Sequence, residues 1–344
     1  MINRVLIVGL GSIGSRHLRL ARQLLPNAEI KILRHQKTSE IPEFSDGCVS
    51  TIVEALEFLP QVAVIANPAT FHLKTAHSLA EAGIHLLIEK PLSDSVDGIS
   101  ELIKACKVGN TTLATGYNLR FLPSLQYFRE TIGSRIIGEI FSVRCEVGQY
   151  LPTWRISSDY RQGVSAKKAL GGGVLLELSH EIDYLRWIFG DVEWVRATLG
   201  KQSNLEIDVE DTAFLTIGFM PNSDGKQILS TLNLDFIRHD HTRLCTAIGE
   251  KGSLIWNGVT GEVMIYKSDS ASWQVLYSHR PNRDETFLAE WQNFLLSIQE
   301  NKSPFVTGED GMRVLEIIKA AHLSSENGLQ VPVDRFSENS GLNS

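Results

Sequence analysis

Short apolar runs alternate with amphipathic stretches along the first third of the chain. Runs such as RVLIV at 4–8, VAVIA at 62–66 and HLLI at 85–88 are apolar at odd and even positions alike, which is typical of strands covered on both faces. Between them lie stretches with a helical spacing of apolar residues, such as SIGSRHLRLARQLL at 12–25. This alternation predicts a parallel sheet whose strands are joined by crossover helices.

The pattern changes after about Phe121. Segments such as EIFSVRCEVG at 139–148 and DTAFLTIGFM at 211–220 alternate polar with apolar residues, which predicts a largely antiparallel sheet with one face in water. Further helical patterns lie at 173–190, 285–299 and 308–328. The change predicts two domains, 1–121 and 122–344, as the length of 344 residues also favours.

Charge and composition narrow the classes of partner. A net charge of −7 and a pI near 5.8 disfavour nucleic acid and anionic membranes, because both attract basic surfaces. No stretch approaches the length of a membrane span, and the N-terminus lacks the apolar core of a secretory signal, so we expect a cytoplasmic protein. Four scattered cysteines, and His239 and His241 without matching acidic or cysteine ligands, predict no metal site.

Gly9, Gly11 and Gly14 form GLGSIG between the first apolar run and the first helical stretch. At a strand-to-helix turn, glycines at this spacing permit a tight turn and the close approach of a pyrophosphate to the helix N-terminus. Ser12 and Ile13 complete the turn and are predicted to contact the same group. A turn that binds no ligand is the alternative, but the strand-turn-helix context favours a dinucleotide site.

The residues after the second apolar run bear on the choice of dinucleotide. An NAD enzyme usually carries an acid about 20 positions beyond the glycines to bind the ribose 2′-hydroxyl. This chain has Arg34-His35-Gln36-Lys37 there, and an arginine suits a 2′-phosphate through its planar fork. We therefore favour NADP over NAD, with Arg34 and His35 as contacts. The alternative is that Arg34 is a solvated loop residue.

Four segments, taken together and in order, resemble the family of glucose-fructose oxidoreductase, inositol dehydrogenase and MocA. They are GLGSIGSRH at 9–17, ANPATFHLKTAHSLAEAGIHLLIEKPLS at 66–93, TGYNLRFLP at 115–123 and GGGVLLELSHEIDYLRWIFG at 171–190. The resemblance implies an α/β Rossmann domain with a parallel sheet over 1–121. It also implies an α+β domain over 122–344, whose open, mostly antiparallel sheet binds substrate and forms homodimers or homotetramers.

The resemblance further implies NAD(P)-dependent oxidation or reduction at a carbon bearing a hydroxyl or ketone, commonly on a sugar or cyclitol. Asn67, Pro68 and His72 correspond to a stretch that lines the ribose and nicotinamide side of the cofactor in this family. An equally supported interpretation of His72 is a residue at a helix start that bonds the nearby backbone.

Lys90 follows the run HLLIE directly and precedes Pro91. Open α/β sheets bind ligands at the carboxyl ends of their strands, and a proline keeps the preceding residue extended. An ammonium in that place can stabilise the charge that develops on a substrate oxygen during hydride transfer. We therefore predict that Lys90 is catalytic and that Lys90 and Glu89 lie against the cofactor. The alternative is an exposed Glu-Lys pair at a strand end.

Glu177, His180, Asp183 and Tyr184 fall at spacings of three and four, which predicts one helical face. A histidine beside a carboxylate is a suitable acid-base pair, and the resemblance implies that His180 exchanges the proton of the substrate hydroxyl. The family commonly has DxxxH, whereas this chain has Glu177 three residues before His180. Either Glu177 or Asp183 is therefore the predicted partner, and a structural histidine is the alternative.

A loop rich in aromatic and basic residues precedes this segment. Aromatic faces suit sugar rings, and cationic side chains suit carboxylates and phosphates. The residues of the loop predicted to bind substrate are Tyr150, Trp154, Arg155 and Lys168, together with Asp183. Asn118 and Arg120, near the domain junction, are predicted to complete the pocket, although Arg120 could equally tie the domains together.

The predicted function is an NADP-preferring oxidoreductase, with NAD possible, that acts on the secondary alcohol or ketone of a sugar, sugar acid, nucleotide-sugar or cyclitol. The alternative from another class is a binding protein that senses NAD(P) and no longer catalyses. A third, weaker interpretation is an oxidoreductase that retains its nicotinamide between half-reactions.

Overall fold

The computed structural model describes residues 2–34, 41–154, 159–280 and 282–334. Its strands are β1 Arg4–Val8, β2 Glu29–Leu33, β3 Gly47–Val49, β4 Val62–Ile65, β5 His85–Glu89, β6 Leu113–Gly116, β7 Ile140–Gly148, β8 Val192–Gly200, β9 Thr212–Phe219, β10 Leu229–Asp235, β11 Thr242–Gly249, β12 Gly252–Asn257, β13 Glu262–Lys267, β14 Gln274–Ser278 and β15 Val331–Pro332. Its α-helices are α1 Ser12–Leu24, α2 Ile52–Glu57, α3 His72–Glu81, α4 Ile99–Val108, α5 Pro123–Gly133, α6 Val174–Glu177, α7 His180–Phe189, α8 Glu285–Glu300 and α9 Gly308–Asn327. None of the helices in these ranges is both long enough and apolar enough to cross a membrane.

Two compact units divide the chain. The first comprises Met1–Phe121 and Arg283–Met312, and the second comprises Leu122–Asn282 and Arg313–Ser344. The division after Phe121 coincides with the predicted one, but the prediction placed all of 122–344 in the second domain. Residues 283–312 join the first unit because Trp291 and Phe294 of α8 are buried in its apolar core.

The first unit contains a parallel sheet in the order β3-β2-β1-β4-β5-β6. β1 lies centrally, with Val5 opposite both Ile30 of β2 and Val62 of β4. The apolar residues of β4 are fully buried at both parities, as strands covered on both faces require. The predicted parallel sheet is confirmed, and the carboxyl ends of β1, β4 and β5 meet at one edge.

The second unit contains a sheet in the order β14-β13-β12-β11-β7-β10-β9-β8-β15. β10 pairs with β7 in parallel, whereas the other neighbouring strands are antiparallel. Along β10 the residues alternate between exposed and buried, so one face of the sheet carries the core. The predicted mostly antiparallel sheet is confirmed.

Candidate active site

The turn between β1 and α1 can be built only with glycine at two of its positions. Gly9 has φ +88°, and a Cβ there would lie 2.9 Å from the backbone nitrogen of Asn67. A Cβ on Gly14 would overlap the carbonyl oxygen of Gly9. A Cβ on Gly11 would meet nothing within 4 Å, so the turn is open on that side, where a ligand can approach the backbone.

The N-terminus of α1 suits an anion. Gly11 is the N-cap and provides no side-chain cap, and the first turn contains no acidic residue. The first backbone N–H groups of a helix lack partners within the helix, and its dipole favours negative charge there. Ser12 and Ile13 open this helix, so the turn fits the pyrophosphate of a dinucleotide.

The end of β2 lies beside the glycine turn. The N–H of Gly9 donates to the carbonyl of Leu33 at 3.0 Å, and Arg34 follows directly, with its own N–H bonded to the carbonyl of Val49. Arg34 is half-buried. The structure thus places Arg34 at the predicted position after β2, whereas His35 lies outside the described residues.

The segment after β4 contributes polar atoms beside the turn. Asn67 follows the end of β4, and Pro68 starts a 3₁₀ turn over Ala69–Phe71. Asn67 Oδ1 and Thr70 Oγ1 are buried without hydrogen-bond partners among the described residues. Buried polar atoms are nearly always satisfied, so these two oxygens are exceptions at the edge of the sheet where the glycine turn lies.

The His72 ring connects the segment after β4 to the segment after β5 through hydrogen bonds to backbone carbonyls. Its ring is buried, with Nε2 2.7 Å from the carbonyl of Asn67 and Nδ1 3.1 Å from the carbonyl of Pro91. Burial lowers the pKa of His72, although these two carbonyls act in the opposite direction. A neutral ring donates from one nitrogen only, and the shorter bond is to Asn67. This arrangement matches the second interpretation of His72, a residue that bonds nearby backbone.

Lys90 lies directly after β5, as predicted, and is half-buried. Its backbone N–H donates to Oε2 of Glu89 at 3.1 Å, and Oε1 of Glu89 lies 2.7 Å from Nε2 of His17. Burial by itself would raise the pKa of Glu89, but the His17 hydrogen bond and the Lys90 charge hold it below its ordinary value. The Glu89 carboxylate thus joins the backbone of Lys90 to the ring of His17.

Asn118 and Arg120 have partners within the first unit. Asn118 Nδ2 donates to Thr286 Oγ1 at 2.8 Å, and the Arg120 guanidinium lies 3.1 Å from Asp310 Oδ1. Arg120 is 3% exposed. Thr286 and Asp310 both belong to the segment 283–312, so these two contacts attach that segment to the rest of the first unit.

His180 begins α7, in the second unit. The prediction of one continuous helical face does not hold, because Leu178 leaves helical geometry (φ −101°, ψ 28°) and separates α6 from α7. Glu177, at the end of α6, accepts a hydrogen bond from Ser165 Oγ at 3.0 Å. Asp183 remains on α7 with His180 and is buried. His180 and Asp183 therefore share a helix, and Glu177 is held by another segment.

The predicted substrate loop is partly described. Trp154 Nε1 donates to the carbonyl of Gln149 at 3.0 Å, and its ring meets Phe236 edge-on. The ring of Tyr150 lies 4.2 Å from that of His239. Lys168 is exposed, and its backbone N–H donates a hydrogen bond to Oδ1 of Asp208. Arg155 lies outside the described residues. Both aromatic rings are thus fixed by contacts within the second unit.

A buried polar group that no sequence motif indicates lies next to Lys90. It comprises His17 of α1, Glu89, and Glu290 and Trp291 of α8. His17 and Glu290 occur among apolar neighbours in amphipathic helices, a signal present in the sequence. Their common location depends on α8 packing on the first unit, which the predicted domain division had excluded.

The parallel sheet and its glycine turn define a dinucleotide-binding protein, and comparison with known proteins gives its family. Two family models match, described as the NAD-binding Rossmann fold of an oxidoreductase family over residues 3–117 and its C-terminal alpha/beta domain over residues 129–333. The chain belongs to the Gfo/Idh/MocA oxidoreductase family. The predicted resemblance is thus confirmed.

Relatives and solved structures agree with this assignment. Myo-inositol 2-dehydrogenase of Thermotoga maritima is 24% identical, with 96% of this chain and 98% of that protein aligned. D-glucoside 3-dehydrogenase of Escherichia coli is 23% identical, over 79% of each chain. A levoglucosan dehydrogenase structure in complex with NADH superposes with a TM-score of 0.82 at 22% identity, covering 97% of this chain and 100% of that one. The prediction of an NAD(P)-dependent oxidoreductase acting on CH–OH groups is confirmed.

Proposed function

We propose that this enzyme transfers hydride between a nicotinamide dinucleotide and the secondary alcohol or ketone of a sugar, sugar acid, nucleotide-sugar or cyclitol. The main support is the position of Lys90 at the carboxyl end of β5, where its backbone N–H is bonded to Glu89. The same unit contains the glycine turn that fits a pyrophosphate. Relatives named for inositol and glucosides, and neighbours bound to levoglucosan, support a ring with several hydroxyl groups as substrate.

Each residue in this proposal has one role. When bound, the nicotinamide supplies the hydride acceptor or donor. Lys90 donates a hydrogen bond to the reacting oxygen and stabilises the negative charge on it. His180 takes the hydroxyl proton during oxidation and returns it during reduction. Asp183 or Glu177 supports the charged ring of His180.

We also propose that NADP is preferred. The support is Arg34 after β2, together with the lack of an acidic residue in the sequence from Arg34 through Ser39. The structural neighbours are described with NADH or NAD, so the test must compare both cofactors. Arg34→Asp should weaken NADP binding and favour NAD; an Arg34→Asp enzyme with unchanged NADP affinity would refute the assignment.

The remaining proposals concern location and assembly. We keep the predictions of a cytoplasmic enzyme and of a homodimer or homotetramer. Light scattering of the purified protein would measure the mass in solution, and a monomer at working concentration would contradict the second prediction.

Activity can be tested with NADP⁺ or NAD⁺ and a panel of cyclitols, glucosides, anhydrosugars and nucleotide-sugars, following absorbance of the reduced nicotinamide. Lys90→Ala and His180→Ala should each bind cofactor normally yet lose turnover by about 10²–10⁴-fold. Tight cofactor binding with no turnover on any substrate would favour a cofactor sensor. Full activity of Lys90→Ala would refute the catalytic role of that residue.

A further inference from the structure

A buried polar cluster lies directly behind the backbone of Lys90. Glu89, His17 of α1 and Glu290 of α8 each place one ligand atom so that all three atoms lie within 4.8 Å of one another. His17 is completely buried, and Glu89 and Glu290 are 6% and 3% exposed. Two carboxylates and an imidazole in such a place constitute either a cation site or a proton-sharing site.

The hydrogen bond of Trp291 distinguishes these possibilities. An indole N–H only donates, and Trp291 Nε1 lies 2.9 Å from His17 Nδ1. His17 Nδ1 must therefore accept, which puts the ring proton on Nε2. Nε2 in turn donates to Glu89 Oε1 at 2.7 Å. With its Nε2 lone pair used by a proton, His17 cannot ligate a metal there unless the bond to Trp291 is broken.

Glu290 lies beside His17 and Glu89, and among the described residues the one charged group that acts on its pKa is the Glu89 carboxylate. Neither of its carboxylate oxygens has a hydrogen-bond partner in the described part of the chain. Burial, and secondly the negative charge of Glu89, raise the pKa of Glu290 well above its ordinary value. An ionised, unpaired carboxylate in such a place costs far more than a neutral carboxylic acid. The other titratable groups that act on Glu89 are Arg16 and His17 from α1, Lys90, and His72 from α3.

We propose that Glu290 is a neutral carboxylic acid in the folded enzyme and acts as a positioning residue for Lys90. Because Glu290 is neutral, the two carboxyl groups hold one negative charge, which resides on Glu89. The Glu89 carboxylate keeps its bonds to His17 and to the Lys90 backbone, and the neutral Glu290 closes the remaining side of the cluster. The effect on Lys90 rests on the proposed function, whereas the protonation state does not.

Infrared spectroscopy tests the protonation state directly, on cofactor-free full-length protein at neutral pH. The carbonyl stretch of a protonated carboxylic acid should be present in the wild type and absent from Glu290→Gln. Glu300→Gln, at the exposed end of the same helix, should keep the band. A wild-type spectrum without it, or with an unchanged band in Glu290→Gln, would overturn the proposal. So would stoichiometric binding of Zn²⁺ or Mn²⁺ that Glu290→Gln abolishes, since that result would define a cation site.

Stability provides a second, independent measurement. A glutamate whose pKa is higher in the folded state than in the unfolded state contributes most to the free energy of unfolding at a pH below its unfolded-state pKa. That contribution is lost as the pH rises toward the folded-state pKa. Glu290→Gln should therefore gain stability relative to wild type as pH rises from about 4.5, whereas Glu300→Gln should show no such slope. Parallel curves for the wild type and Glu290→Gln would contradict a neutral Glu290.

Turnover tests the positioning role. Glu290→Gln preserves shape and neutrality, so kcat should stay near that of the wild type. Glu290→Ala should lower kcat by about 10–100-fold with little change in KM, because Lys90 is then imperfectly placed. Equal kcat in the wild type, Gln and Ala enzymes would refute the positioning role. If no substrate turned over at all, the proposed function would fail while the infrared result still decided the state of Glu290.

Discussion

Replacing Trp291 by Phe removes the hydrogen bond that fixes the ring of His17. Trp291 is completely buried, and so is the His17 nitrogen that accepts from it. Leaving that acceptor without a donor costs about 1–3 kcal/mol, and the smaller ring adds about 1 kcal/mol of lost packing. The free energy of unfolding of the first unit should therefore fall by about 2–4 kcal/mol, which lowers its melting temperature by roughly 5–15 °C.

Urea unfolding followed by circular dichroism measures this change without depending on tryptophan fluorescence. Trp273→Phe is a matched control, because Trp273 is 41% exposed and its ring rests against Tyr266. The control should change stability by no more than about 0.5 kcal/mol. Equal losses in the two variants would show that ring size alone matters and would refute the role of the hydrogen bond.

A double-mutant cycle isolates the pair itself. Combining Trp291→Phe with His17→Leu should give a loss that differs from the sum of the single losses by about 0.5–3 kcal/mol. A coupling energy near zero would mean that Trp291 does not fix His17, and the assignment of the ring proton to Nε2 would lose its basis.

Two further predictions concern backbone and charge. Gly9→Ala should lower the free energy of unfolding by about 1–2 kcal/mol because its backbone is left-handed, and by more because the new Cβ would approach Asn67. It should also weaken cofactor binding, measured by titration calorimetry. The control Gly83→Ala has a positive φ too, but its Cβ would meet nothing within 4 Å, so it should lower stability without changing cofactor binding. Burial raises the pKa of Glu210, so its contribution to stability is lost as pH rises through that pKa. Glu210→Gln should gain stability relative to wild type from acidic to neutral pH in urea titrations, and the exposed control Glu206→Gln should not; a Glu210→Gln curve parallel to wild type would contradict this.

Local sequence was sufficient for the two sheets. A strand such as β4, which is apolar at every position, must be covered by other elements on both faces of the sheet. A strand such as β10, in which polar and apolar residues alternate, needs cover on one face only. The glycine turn was equally local, because the positive φ of Gly9 and the tight contact at Gly14 arise within one β-α unit. The place of Lys90 followed from the rule that ligands bind at the carboxyl ends of parallel strands.

The break between α6 and α7 was not predictable from spacing. The residues from Val174 to Phe189 have continuous helical periodicity, and no Gly or Pro interrupts them. The chain nevertheless leaves helical geometry at Leu178, and Glu177 bonds Ser165, a residue 12 positions away. Periodicity reports which residues are buried, but a turn stabilised by a tertiary hydrogen bond depends on partners that a window of sequence does not contain.

The cluster behind Lys90 shows the same limit over longer distances. His17 is separated from Glu89 by 72 positions and from Trp291 by 274, so no motif could place them together. Each residue alone has an ordinary explanation, and only their contacts determine which ring nitrogen carries the proton. That assignment in turn decides between a metal site and a neutral acid at Glu290. The protonation chemistry next to Lys90 is therefore a property of the packing of α8 against the sheet, although every residue in it was visible in the sequence.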